Sequence, residues 1–108
     1  MNDTQDFKLI VDLWNHSIRL TDERLAHILE HPELQGAEDK IQETLFAPDC
    51  VVESKSDASV HLYYRLYHQL TIGDKYLTVV VKITERDRFV VTAYFTDKIK
   101  RGAVLWTK

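Results

Sequence analysis

Apolar and polar positions along the chain follow two regimes. From Phe7 to Trp14 they alternate, with Phe7, Leu9, Val11 and Leu13 on one side, which predicts a strand. Asn15-His16-Ser17 reads as a turn, and Ile18 to Leu20 as a second short strand. Thr21 then has the character of a helix N-cap, with Asp22 and Glu23 placed well for the first-turn dipole. Leu25, Ile28 and Leu29 form an apolar stripe at helical spacing, and Pro32 ends or restarts that helix. A second helix is expected from about Ala37 to Leu45, with Ile41, Leu45 and Phe46 as its apolar side and Ala47-Pro48-Asp49 as its stop.

From Cys50 the period becomes two. Cys50 to Glu53 is a short strand, and residues 54–57 are a turn. Val60, Leu62, Tyr64 and Leu66 alternate with His61, Tyr63, Arg65 and Tyr67. After Gly73-Asp74, Leu77, Val79, Val81 and Ile83 alternate with Thr78, Val80 and Lys82. A charged turn at residues 85–88 leads to Phe89, Val91, Ala93 and Phe95, alternating with Val90, Thr92, Tyr94 and Thr96. A basic loop at 97–102 precedes a last strand at 103–106. The expected fold is a single α+β domain over residues 1–108, with residues 1–6 flexible. In it, N-terminal strands and two helices pack on an antiparallel meander sheet of four to five strands.

The core face of that meander is expected to hold Leu62, Leu66, Leu77, Val79, Val81, Ile83, Phe89, Val91 and Phe95. The opposite face then carries His61, Tyr63, Arg65 and Tyr67 on one strand, Lys82 on the next, and Thr92, Tyr94 and Thr96 on the third, with Lys98, Lys100 and Arg101 at its end. Such a face has two readings. Tyr and Thr are strong strand formers, and a solvated face needs polar residues. Equally, cations neutralise phosphate, aromatic rings stack on unpaired bases, and His, Lys, Arg and Tyr supply the base, acid and cation that metal-free RNA cleavage requires.

Composition narrows the classes. The chain has 108 residues, 44% of them hydrophobic and 29% charged, enough for one modest core. Its net charge of −3 hides an asymmetry: residues 1–54 carry 4 basic and 12 acidic side chains, and residues 55–108 carry 10 basic and 5 acidic. RNA contact is therefore expected to be local. One cysteine, Cys50, rules out an intrachain disulfide and a Cys-based zinc site, and it reads as core. No apolar run approaches the length of a membrane span. The acidic start lacks the pattern of a secretory signal, so a cytoplasmic location is expected. His27 and His31 share a helix face at i and i+4, but the intervening residues are not those of a zinc protease, and no third ligand is evident. No metal and no cofactor are expected. Asp12, Glu43 and Glu53 form no recognisable carboxylate pair, and Trp14 and Trp106 are expected over the core ends.

Four segments carry a family likeness: His27-Ile28-Leu29-Glu30-His31-Pro32-Glu33, Glu43-Thr44-Leu45 with Pro48-Asp49, Tyr63-Tyr64-Arg65, and Val91-Thr92-Ala93-Tyr94. Together they resemble the small phage and bacterial domains of the barnase–EndoU–colicin–RelE-like nuclease superfamily, over residues 18–106. The resemblance implies metal-independent RNA cleavage through a 2′,3′-cyclic phosphate, in a toxin or effector setting, with RNA as substrate and an inhibitor protein as partner. On that footing His27 or His31 is the acid or base, and Thr92 and Tyr94 orient the phosphate that Arg65 holds. Lys82 joins them from the face pattern alone. Tyr63 or Tyr67 would stack a base, and Lys98, Lys100 and Arg101 would add contacts to the RNA backbone. The alternative is a non-catalytic interaction protein or homodimer that uses the acidic N-terminal half and the basic sheet face.

Overall fold

The computed structural model describes residues 6–108. The expectation of a flexible segment at residues 1–6 therefore lies outside the described residues, except for Asp6. Its carbonyl accepts the Asp22 N–H at 2.9 Å. The elements in chain order are β1 (Phe7–Val11), β2 (Ser17–Thr21), α1 (Asp22–Ile28), a 3₁₀ turn (Pro32–Leu34), α2 (Glu38–Phe46), β3 (Cys50–Ser54), β4 (Val60–Leu70), β5 (Gly73–Ile83), β6 (Arg88–Thr96) and β7 (Gly102–Thr107). Thr21 caps α1 as its residue type suggests, its hydroxyl accepting the Arg24 N–H at 3.0 Å. Pro32 opens the 3₁₀ turn, where its missing N–H costs nothing.

All seven strands form one mixed sheet in the order β1-β2-β6-β5-β4-β3-β7. The α+β class holds, but the expected antiparallel sheet of four to five strands is corrected. Strands β3 to β6 are an antiparallel meander. The β1–β2 hairpin joins it by a parallel contact of Arg19 with Phe89, and β7 lies beyond β3. Ile18 and Leu20, on either side of Arg19, are both buried in the main core with the helix residues Ile28, Ile41 and Leu45.

Register then decides the faces. Tyr63 pairs with Val79 and Val79 with Ala93, and all three lie under the helices with Leu77 and Val81. His61, Arg65 and Tyr67 share that face, because side chains two apart on a strand point the same way. Leu62 and Tyr64 point the other way, into a second cluster with Cys50 and Val52. The 97–101 connection joins β6 to β7, which three strands separate. It crosses this outer face, and the Lys100 N–H donates to the Tyr64 hydroxyl at 3.1 Å.

The expected core is therefore corrected at four positions. Leu62 and Leu66 belong to the outer face. Val91 is the extra residue of a β-bulge between the pairs Val80–Thr92 and Val81–Val90. That bulge also turns Phe89 outward beside Lys82, where the Arg19 guanidinium lies 5.4 Å from its ring. In β1 the buried residue is Ile10, whereas Phe7, Leu9 and Val11 are exposed. Trp106 packs against the main core, and Cys50 is buried as expected. Burial pushes the Cys50 thiol up, away from the reactive thiolate.

Candidate functional site

The sheet separates residues that the alternation pattern had grouped. Tyr63, Arg65 and Tyr67 lie on the helix side, and Lys82, Thr92 and Tyr94 on the outer side. A single surface holding all of them is not formed. Arg65 is occupied: it donates to the Ala47 carbonyl and lies 3.3 Å from the Glu43 carboxylate. Tyr67 donates to Glu43 at 2.6 Å and its ring is flanked by Lys40 and Arg65, each 5.7 Å from the ring centre, and Tyr63 is wholly buried. Lys82 is tied to Asp57 at 3.0 Å and to Ser59 at 2.6 Å. Hydrogen bonds from Ser59 and Lys82 hold the Asp57 carboxyl down at about 2. His27, in the last turn of α1, and His31, before the 3₁₀ turn, are exposed on the helical layer, with the sheet between them and Lys82. Six of the expected residues do share a side. Lys82, Thr92 and Tyr94 face outward, and the connection bearing Lys98, Lys100 and Arg101 runs across that side. Among the described residues no carboxylate lies within ion-pair range of those three loop cations.

The denser constellation lies elsewhere, at the end of the sheet where β1 turns into β2 and β5 into β6. Asp12 directly follows β1 and is buried to 1% exposure. Its Oδ1 accepts the backbone N–H groups of Trp14 (3.0 Å) and His16 (2.8 Å). Its Oδ2 accepts the Tyr63 hydroxyl at 2.6 Å and lies 3.3 Å from His16 Nδ1. Asn15 makes the tight return possible with φ of +67°, a left-handed conformation that Asn tolerates better than most residues. A buried carboxylate thus holds one imidazole by a ring nitrogen, leaving the other nitrogen for exchange. Burial first, and the Asp12 hydrogen bond second, push the Tyr63 phenol up, so it stays a donor.

A second imidazole stands close by. His61 is pushed down by burial, with Glu53 opposing, and the Arg88 and His16 charges adding to the depression. It is therefore neutral at physiological pH. Its Nδ1 is buried without a partner. The Trp14 ring lies 6.0 Å from the His16 ring and edge-on to Tyr63 at 6.3 Å. Outside this cluster an open cleft of about 550 Å³ runs between the two turns, lined by His16 and by the charged run Glu85, Arg86, Asp87 and Arg88, among others. Neither Arg86 nor Arg88 has a carboxylate partner among the described residues, whereas the neighbouring Asp87 is held by Arg19 at 2.6 Å. Two guanidinium groups and an oriented imidazole, groups that can bind an anion, thus share the cleft with the Glu85 carboxylate, which has no cation partner among the described residues either.

Fold and site define a class: an α+β protein with a helix-covered mixed sheet and a histidine-bearing cleft, lined by both signs of charge, at one sheet end. No family model, curated protein or solved structure matches the chain. Among the described residues, no three His, Cys, Asp or Glu side chains group as a metal site. Sequence reasoning passed over Asp12, His16, His61 and Arg88 as a group. The one local signal was an Asp four residues before a His across a turn; the rest depends on Tyr63, 51 positions away.

Proposed function

We propose that the protein is a metal-independent endoribonuclease whose acid–base pair is His16 and His61. The observation that carries the reading is the Asp12–His16 pair at a cleft lined by Arg86 and Arg88, with the half-buried His61 close enough to feel the charges of His16 and Arg88. His61 takes the proton of the ribose 2′-hydroxyl as that oxygen attacks the phosphorus. The bond from phosphorus to the 5′-oxygen breaks, and His16, held in place by Asp12, gives that oxygen its proton. Arg86 and Arg88 hold the phosphate and its developing charge. Trp14 offers a ring face to a base. The products are a 2′,3′-cyclic phosphate and a free 5′-hydroxyl, the reaction class of the nucleases that the sequence resembles. The test is cleavage of single-stranded RNA in excess EDTA. His16→Ala and His61→Ala should each lower the rate by about 100-fold or more, the scale of general acid–base catalysis. Activity that needs a divalent metal, or that survives both changes, defeats the reading.

RNA binding without cleavage is a second reading, favoured by the unpaired cations Lys98, Lys100 and Arg101 on the outer face. It predicts that Lys100→Glu with Arg101→Glu weakens RNA binding and lowers its salt dependence, while His16→Ala leaves binding intact.

A further inference from the structure

The sheet ends in two edges, β1 and β7, and they differ. The β7 edge carries an irregularity opposite Val51 and Val52 and is flanked by Lys100, Arg101 and Lys108, features that discourage pairing. The β1 edge runs in unbroken register with β2 from Phe7 to Val11. Its one charge, Lys8, is engaged by Glu38.

Hydrogen bonding shows which groups β1 leaves open. The Asp12 N–H donates to the His16 carbonyl, and the Asp6 carbonyl accepts the Asp22 N–H. Even-numbered residues therefore direct their backbone groups at β2. In an antiparallel ladder successive residues alternate, so Phe7, Leu9 and Val11 direct N–H and C=O outward. Among the described residues nothing else bonds those groups. The same three residues hold exposed apolar side chains on one face, Leu9 at 62%.

We propose that β1 pairs antiparallel with β1 of a second copy, about a two-fold axis at Leu9. The occupant is a second copy because the strand is self-complementary. With the axis there, Leu9 faces Leu9, and Phe7 faces Val11 in both directions. Every outward N–H then meets an outward C=O, and apolar side chains meet on the outer face. The register sets Lys8 of the second copy opposite Ile10, in a cleft of about 450 Å³ also lined by Gln42, Glu43 and the exposed Phe46. A two-fold contact closes on itself, whereas β1 pairing with β7 would propagate without end. The apolar surface covered is on the order of 400 Å² per copy, about half that of a standard interface, so the dimer is concentration-dependent.

The proposal goes beyond the nuclease reading and does not depend on it. Its test is sedimentation equilibrium of the full chain across a concentration series, with site-specific cross-linking. Wild type should move from monomer to dimer, and Leu9→Lys should stay monomeric. In the paired strands the two residues at position 9 have Cα atoms about 5.5 Å apart, within disulfide reach. Leu9→Cys should therefore form a disulfide-linked dimer under mild oxidation, and the buried Cys50 should not interfere. Phe7→Cys should link to Val11→Cys in a mixture but not to itself. A wild-type mass that stays monomeric at every concentration overturns the proposal. So does Phe7→Cys linking to itself as readily as Leu9→Cys.

Discussion

Replacing Tyr63 by Phe removes one buried oxygen from one end of the sheet and nothing else. That oxygen donates to Asp12 at 2.6 Å, within the range of a charge-assisted bond, and both residues are buried. No cavity forms, because the ring stays. What is lost is a hydrogen bond to a buried carboxylate, worth roughly 1.5–3 kcal/mol. Oδ1 keeps its two backbone donors, and Oδ2 retains His16 Nδ1 alone at 3.3 Å. The expected cost is therefore about 2 kcal/mol, or about 10 °C in Tm for a domain of this size. Tyr67→Phe is the internal control. It breaks a bond of the same length, to Glu43, but that carboxylate is 48% exposed and water replaces the donor, so the cost should be about 0.5 kcal/mol. Urea unfolding with an unchanged m-value reads both differences. A Tyr63→Phe cost no larger than that of Tyr67→Phe would refute the claim that a buried Tyr63–Asp12 bond anchors this end of the sheet.

Three further outcomes follow from the geometry. A Cβ at Gly102 would collide with the Glu53 carbonyl and come within 2.8 Å of Val52 Cγ1, so Gly102→Ala should destabilise by about 2–3 kcal/mol, read by thermal unfolding. Gln69 sits near the end of β4, where the pairing with β5 is irregular, at φ +57°; Gln69→Gly should raise Tm, with a gain of about 0.5–1 kcal/mol from relieved backbone strain. His61 has a folded pKa below its ordinary value of 6.5, through burial first and through Arg88 and His16, against Glu53 and Asp12. The unfolded chain binds that proton more readily. Stability should therefore fall as pH drops below 6.5 toward the folded value. His61→Gln should flatten that slope, and an unchanged slope would contradict the account.

Helix positions, the Thr21 cap and the existence of every strand were legible in the sequence, because capping and period are local properties. Face assignment was not. In β4, Leu62, Tyr64 and Leu66 make as good an apolar row as Tyr63 and Tyr67, and both rows are buried in part. One is covered by the helices and the other by the chain that crosses between β6 and β7. A period of two names two faces without saying which one the helices cover, and a one-residue choice inverts every side chain. Tyr63 is core because Asp12 satisfies its hydroxyl, a partner 51 positions away. The bulge at Val91 has no marker residue, so Phe89 and Val91 were misplaced with it. The same long-range dependence hid the site. His16 gains an acid–base setting only once the turn at Asn15 returns it to Asp12 and the sheet brings His61 and Arg88 alongside.

The central claim is that two histidines at one end of the sheet cleave RNA without a metal. Product analysis by mass spectrometry, after incubating the protein with a short RNA in EDTA, tests it most directly. The account predicts a fragment ending in a 2′,3′-cyclic phosphate, none from an oligonucleotide with a 2′-deoxy sugar at the scissile position, and none above background from His16→Ala. Cleavage of the deoxy substrate, or cyclic phosphate formed equally by His16→Ala and His61→Ala, would contradict it.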